Sequence, residues 1–113
     1  MKKIDAIIRN AKLHQTKEVL DEIGIKGMTV SDVKGLGAQK GTHSSGGRPG
    51  SFKGTELIGK TKIEIVCNNE MVDKVISAIS STKTGEIGDG KIFVHSLDDV
   101  VRVRTGERGE NAI

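Results

Sequence analysis

Residues 35–60 carry eight of the chain's 15 glycines and its one proline, Pro49, yet both flanks of this segment read as β-strand. Its sequence, GLGAQKGTHSSGGRPGSFKGTELIGK, has no apolar repeat at helical or strand spacing. A compact domain seldom holds an aperiodic loop longer than about 12–15 residues unless the loop is functional or unstructured. Whatever this chain folds into must therefore join two strands through a long excursion held at two glycine-rich ends. The excursion is either the working surface of the protein or an ordinary flexible insertion, and the flanking sequence has to decide.

The flanks are strongly patterned. Residues 2–9 alternate, with Ile4, Ala6 and Ile8 on one side and Asp5 and Ile7 on the other. Asn10 is placed to cap a helix whose apolar stripe is Leu13, Thr16, Leu20 and Ile23, with Val19. Gly24 and Gly27 end it and turn the chain into a second strand over 28–34. After the long segment, 60–67 alternates again, with Ile63, Ile65 and Cys67 on one face and Lys62, Glu64 and Val66 on the other. Asn68 or Asn69 caps a second helix striped by Val72, Val75, Ile76 and Ile79. A glycine-rich turn over 84–90 leads to a fourth strand beginning at 92–94, then to a short extended tail at 100–104.

This order predicts an α+β fold, a ferredoxin-like βαββαβ sandwich in which a four-stranded antiparallel sheet carries two helices on one face. The 113 residues form one domain by length. Nothing in the pattern covers the second sheet face, and Ile7, Val33 and Val66 fall on it, so a partner subunit is expected there.

Composition narrows the function classes. With 35% hydrophobic residues and two aromatics, Phe52 and Phe93, the core is aliphatic. The net charge of +3 suits a small anionic ligand better than a nucleic-acid backbone, which asks for a concentrated basic patch. Single-strand binding sheets also need stacking aromatics, and only Phe93 falls on a strand here. Cys67 is alone, which excludes an internal disulfide and fits a cytoplasmic setting. The first ten residues lack a signal peptide's apolar run, and no stretch of about 18 apolar residues predicts a membrane span. His14, His43 and His95 share no metal-ligand spacing. No Ser/His/Asp arrangement is legible either, since Ser44, Ser45 and Ser51 sit in the aperiodic segment, unsuited to preorganised catalysis.

Three short segments could bind anions, each with a plainer reading beside it. Gly35-Leu36-Gly37 lets backbone N–H groups approach a ligand, or simply makes a turn. In residues 84–91, TGEIGDGK, the run Gly88-Asp89-Gly90 can form a nest of N–H donors beside the Lys91 charge. Equally, Gly85 ends a helix and Asp89-Gly90 turns into a strand. Arg102 and Arg104, two apart in an extended tail, would put both guanidinium groups on one side, suited to clamping a phosphate or carboxylate; a solvated strand edge looks the same.

Taken together, M-K-K-I-D-A-I-I-R, G-M-T-V-S-D-V-K-G-L-G-A-Q-K-G, K-T-K-I-E-I-V, T-G-E-I-G-D-G-K-I-F-V and V-R-V-R-T-G-E resemble the PII nitrogen-regulatory signal-transduction proteins along nearly the whole chain. The resemblance implies a homotrimer whose three intersubunit clefts bind ATP or ADP, and a target-docking T-loop at about residues 37–60. By motif match, Gly35, Gly37, Ala38 and Gln39 would contact the nucleotide, and Gly88, Asp89, Gly90 and Lys91 would cradle its phosphates. Arg102 and Arg104 would complete the clamp, and Thr29 and Val66 would line the adenine pocket, with Thr29, Arg102 and Arg104 coming from the neighbouring subunit. Beside Mg-ATP, 2-oxoglutarate would bind through Gln39, Lys40, Gly41 and Lys60, with Gln39 also giving an oxygen to Mg. The implied role is a non-enzymatic transducer of nitrogen, carbon and energy status acting on a protein such as an ammonium transporter, without nucleic acid, and reaching a membrane only through that partner.

The chain departs from the family pattern in the T-loop. It has no tyrosine, so uridylylation is excluded, and Phe52 stands near the usually modified position. Leu36 replaces the usual aromatic and Ala38 the usual arginine, which removes one phosphate contact. Arg48, Ser51 and Phe52 are the expected target-binding tip, Arg48 lying where channel-plugging members carry an arginine. The alternative is a divergent regulator of another transporter or enzyme with a different small-molecule effector. A slow ATPase is a third class, for which no general base is legible.

Overall fold

The computed structural model describes residues 1–37 and 57–113. The strands are β1 (Lys2–Ile8), β2 (Thr29–Gly35), β3 (Ile58–Cys67) and β4 (Lys91–Ser96), and the helices α1 (Leu13–Glu22) and α2 (Val72–Ser80). The strands form one antiparallel sheet in the order β2-β3-β1-β4. That is the ferredoxin-like arrangement the element order predicts. β1 and β3 lie in the middle, with Ile4 opposite Ile65 and Val94, and Ala6 opposite Ile63 and Ile92.

Side-chain alternation sorts the two faces as expected. Ile4, Ala6, Ile8, Ile63, Ile65 and Cys67 point to the helix side and are buried there with Leu20, Val75 and Ile79. Burying each large aliphatic side chain contributes about 1.5–3 kcal/mol, so a core almost free of aromatics still closes this sheet. Thr16, in the apolar stripe of α1, is also buried, its hydroxyl 3.4 Å from that of Thr82, which in turn donates to the Ile79 carbonyl at 2.8 Å. At Gly24 (φ +93°) α1 ends, and the Ile25 N–H closes back on the Leu20 carbonyl at 3.0 Å.

Three local expectations are corrected. Asn10 does not cap α1: a single 3-10 turn, Asn10–Lys12, precedes the helix, and the Asn10 side chain instead accepts a 2.7 Å hydrogen bond from the buried Thr61 hydroxyl. Asn68 and Asn69 likewise leave α2 uncapped; a 3-10 turn intervenes, and Asn69 Oδ1 accepts from the N-terminal ammonium at 3.0 Å. β3 begins two residues and β4 one residue before the expected bounds, and β2 is shifted by one residue to Thr29–Gly35, because cross-strand pairing continues where the apolar pattern has stopped.

The face without helices carries Lys3, Asp5 and Ile7 from β1, Lys62, Glu64 and Val66 from β3, and Phe93 and His95 from β4. A chain of polar contacts crosses it: ion pairs of Lys62 with Glu64 at 3.0 Å, Glu64 with Lys3 at 3.3 Å and Lys3 with Asp5 at 3.6 Å, and a 3.0 Å hydrogen bond between Asp5 and His95 Nε2. Asp5 is 8% exposed, and its Oδ1 is buried without a hydrogen-bond partner among the described residues.

Candidate functional site

The loop between α2 and β4 is organised by one carboxylate. Asp89 accepts from the Thr84 hydroxyl at 2.6 Å, the Thr84 N–H at 3.0 Å, the Gly85 N–H at 2.8 Å and Arg9 Nε at 3.2 Å. These donors, led by the Thr84 hydroxyl, hold its pKa well below the usual carboxylate range. The Asp89 side chain is thus turned into its own loop, leaving the backbone N–H groups as the loop's offering to a ligand. Gly85, Gly88 and Gly90 all have positive φ, the conformation in which short runs of N–H groups form a concave nest. At Gly90 no other residue fits, since a Cβ would overlap the carbonyl oxygen of Ile7 on β1.

Two cations grip this loop from the sheet. Arg9 Nη2 donates to the Ile87 carbonyl at 2.8 Å, and Lys60 Nζ donates to the Gly88 carbonyl at 2.6 Å. Partial burial lowers the Lys60 pKa, Arg9 nearby adding to the effect and Asp89 opposing it. The same end of the sheet opens into a hollow of about 500 Å³. Gly35, Gly37, Lys60, Gly88, Gly90 and Lys91 line its polar side, and Ile7, Leu36, Ile58, Ile87 and Phe93 its apolar side. β2 and β3 supply one rim through the Gly35–Ile58 pairing, and the Ile7–Lys91 pairing of β1 and β4 supplies the other.

Thr29 and Val66 lie elsewhere. With Glu64 they border a second hollow, against which Val100, Ala112 and Ile113 of the tail also rest. The tail is not extended over 100–104, a further correction. It doubles back as a tight hairpin, with Arg102 N–H to the Glu107 carbonyl at 2.9 Å, Gly106 N–H to the Arg102 carbonyl at 2.8 Å, and Val101 bridged to Arg108. Positive φ at Gly106 and Gly109 allows the turn, and Asp99 ties it to Arg108 through Nη2 at 2.6 Å. Strand alternation therefore does not put Arg102 and Arg104 on one side. Arg102 pairs with Glu107 at 2.8 Å, while Val103 in between is 99% exposed.

One chain thus brings Gly35, Gly37 and Lys60 together with Gly88, Gly90 and Lys91, and keeps Thr29, Val66, Arg102 and Arg104 apart from them. Ala38, Gln39, Lys40, Gly41, Arg48, Ser51 and Phe52 lie outside the described residues. Sequence reasoning missed Arg9 and Thr84 as parts of this site. Arg9 meets Asp89 eighty positions away along the chain, and no local pattern signals such a pair; Thr84, five residues before Asp89, follows from turn chemistry alone.

A family model described as "Nitrogen regulatory protein P-II" matches residues 1–107. The chain belongs to the P-II family. P-II proteins are regulatory, non-enzymatic signal transducers in nitrogen control. The nitrogen regulatory protein P-II of Azospirillum brasilense is 49% identical over the full length of both chains. P-II 2 of Methanothermobacter thermautotrophicus is 51% identical, covering all of this chain and 97% of that one. Among solved structures, Arabidopsis thaliana PII bound to citrate superposes with a TM-score of 0.80 at 43% identity, covering 99% of this chain and 91% of that one. As in that P-II fold, two helices back a four-stranded antiparallel sheet. No helix among the described residues is long and apolar enough to cross a membrane.

Proposed function

We propose that this P-II protein is a cytoplasmic homotrimer that senses ATP or ADP and, with Mg-ATP, 2-oxoglutarate, and signals to a protein target through the T-loop at about residues 37–60. The carrying observation is the hollow at the loop end of the sheet, where a glycine nest, two further glycines and two lysines converge on one space. That donor set fits a polyphosphate: N–H groups at close approach, a point charge at Lys91, and an apolar side for a base. Gly35, Gly37, Gly88, Gly90, Lys91 and the Asp89 N–H would hold the nucleotide. Thr29, Val66, Arg102 and Arg104, distant within one chain, would reach it from a neighbour packed on the open sheet face, with Thr29 and Val66 bordering the base. Lys60 would pair with an effector carboxylate; the citrate in the Arabidopsis relative supports a carboxylate as the effector class. Gln39, the expected Mg ligand, Ala38, Lys40 and Gly41 would complete the site, and Arg48, Ser51 and Phe52 would face the target, for instance an ammonium transporter.

Physically, signalling needs only differential affinity: a ligand that binds the target-competent state better than the other shifts the population toward it. Titration calorimetry tests the reading. Wild type binding Mg-ATP, with binding lost in Lys91→Ala, supports it; wild type failing to bind ATP or ADP overturns it. A second reading, a different effector, draws on Leu36, Ala38 and the absence of tyrosine. ATP binding without any ATP-dependent 2-oxoglutarate binding would favour that second reading.

A further inference from the structure

We infer that Arg9 is a positioning residue for the phosphate-binding loop, using its two separate donors to set the direction of the loop's peptide groups. The inference deepens the nucleotide-sensing reading and rests on it. Arg9 follows β1 directly, and its side chain is about three-quarters buried against the loop. Nη2 takes the Ile87 carbonyl while Nε takes the carboxylate of Asp89, two residues on. Lys60, from the neighbouring strand, takes the Gly88 carbonyl.

The consequence follows from peptide geometry. Every described peptide is trans, and in a trans peptide the C=O and N–H point in opposite directions. Fixing the Ile87 carbonyl on Arg9 turns the Gly88 N–H away from Arg9. Fixing the Gly88 carbonyl on Lys60 does the same for the Asp89 N–H. Without these anchors the glycines at 85, 88 and 90 leave the loop free to rotate its peptides, and an anion would meet carbonyl oxygens as readily as N–H groups. The Arg9 fork also holds the Asp89 carboxylate inward, on Thr84 and Gly85, away from any phosphate it would repel. Arginine suits this role because its planar fork serves two acceptors at once, which lysine's point charge does not.

The experiment is titration calorimetry of the full-length protein with ATP, ADP and adenosine, for wild type, Arg9→Met, Arg9→Lys, Asp89→Asn and the double variant Arg9→Met/Asp89→Asn. The expected result is about tenfold weaker ATP and ADP binding in Arg9→Met with adenosine unchanged. Arg9→Lys should recover only part of that loss, and the double variant should be no worse than the weaker single. Full recovery by Arg9→Lys would show that charge alone matters, and additive losses would show that Arg9 does not act through Asp89; either overturns the inference. Should Arg9→Met not fold, Thr84→Val removes the exposed hydroxyl donor to Asp89 from the other side. It should cost ATP about threefold and adenosine nothing; unchanged ATP affinity in Thr84→Val overturns the inference. Wild type that binds no nucleotide sinks the parent reading with it, whereas ATP binding unchanged in Arg9→Met sinks this inference alone.

Discussion

The ammonium of Lys60 donates to the carbonyl oxygen of Gly88 at 2.6 Å, tying the third strand to the loop that precedes the fourth. An effector carboxylate that pairs with Lys60 must compete with this bond. Lys60→Met removes both, but unequally. The nest loses one anchor, a net hydrogen bond of about 0.5–1.5 kcal/mol, so ATP should weaken by about threefold. A carboxylate effector loses the cation proposed to pair with it and should weaken by at least about tenfold. Calorimetry with ATP alone, then with 2-oxoglutarate in saturating Mg-ATP, separates the two. Equal losses for both ligands would contradict a distinct effector role for Lys60.

Gly90 and Gly37 border the same hollow yet should differ sharply in tolerance. Gly90 has φ +103° and stands against the Ile7 backbone. Alanine there must adopt a strained conformation, costing on the order of 1–3 kcal/mol, and must also displace β1. Among the described residues nothing lies within 4 Å of where a Cβ on Gly37 would sit. Chemical denaturation should show Gly90→Ala destabilised by at least about 2 kcal/mol and Gly37→Ala within about 0.5 kcal/mol of wild type. A destabilised Gly37→Ala would mean that this glycine is needed for the fold as well as for close approach of a ligand.

The sheet and core were legible because period-two alternation and the helical stripes are local signals, and residues such as Ile4, Ile63, Leu20 and Val75 obey them. Side-chain partners were less legible. Asn10 and Asn69 have the right identity and place for caps, but Thr61 and the chain's own N-terminus, both distant in sequence, claim their oxygens. The tail misled for a related reason: Val-Arg-Val-Arg alternates as a strand does, while the Arg102–Glu107 and Asp99–Arg108 pairs and two glycines fold it back. At the candidate site, glycine spacing exposed the nest but not what aims it, since Arg9 meets its partner only after the sheet has formed.

The Asp89 carboxylate predicts a specific acid limb. Hydrogen bonding depresses its folded-state pKa below the ordinary 3.8. A depressed carboxylate stabilises the fold fully above its unfolded pKa, loses that contribution as pH falls, and has none left below the folded value. The stability gap between wild type and Asp89→Asn should therefore be constant from about pH 5 to 8, narrow below about pH 4, and close only in strong acid. Urea titrations at fixed ionic strength across that range measure it. A gap that widens on acidification would contradict the four-donor environment of this carboxylate.

His95 offers a test of the open sheet face that avoids the proposed nucleotide hollow. Its Nε2 lies 3.0 Å from Asp5, in a network that also holds Lys3 and Glu64. His95→Glu sets a second carboxylate beside the nearly buried Asp5. In a single chain half of the residue-95 side chain reaches water, so the new charge can turn outward and the cost stays small. Under a neighbouring subunit the two like charges would be desolvated together, which is far more costly. On the proposal that a trimer packs through this face, sedimentation should show His95→Glu dissociated at concentrations where wild type and His95→Gln remain associated, with the circular dichroism of all three alike. Because Thr29, Arg102 and Arg104 are proposed to act across subunits, ATP affinity should fall in step with dissociation and recover when high protein concentration restores the trimer. A His95→Glu protein that stays assembled would remove this face from the interface. One that dissociates yet binds ATP at full strength would confine the nucleotide site to a single chain.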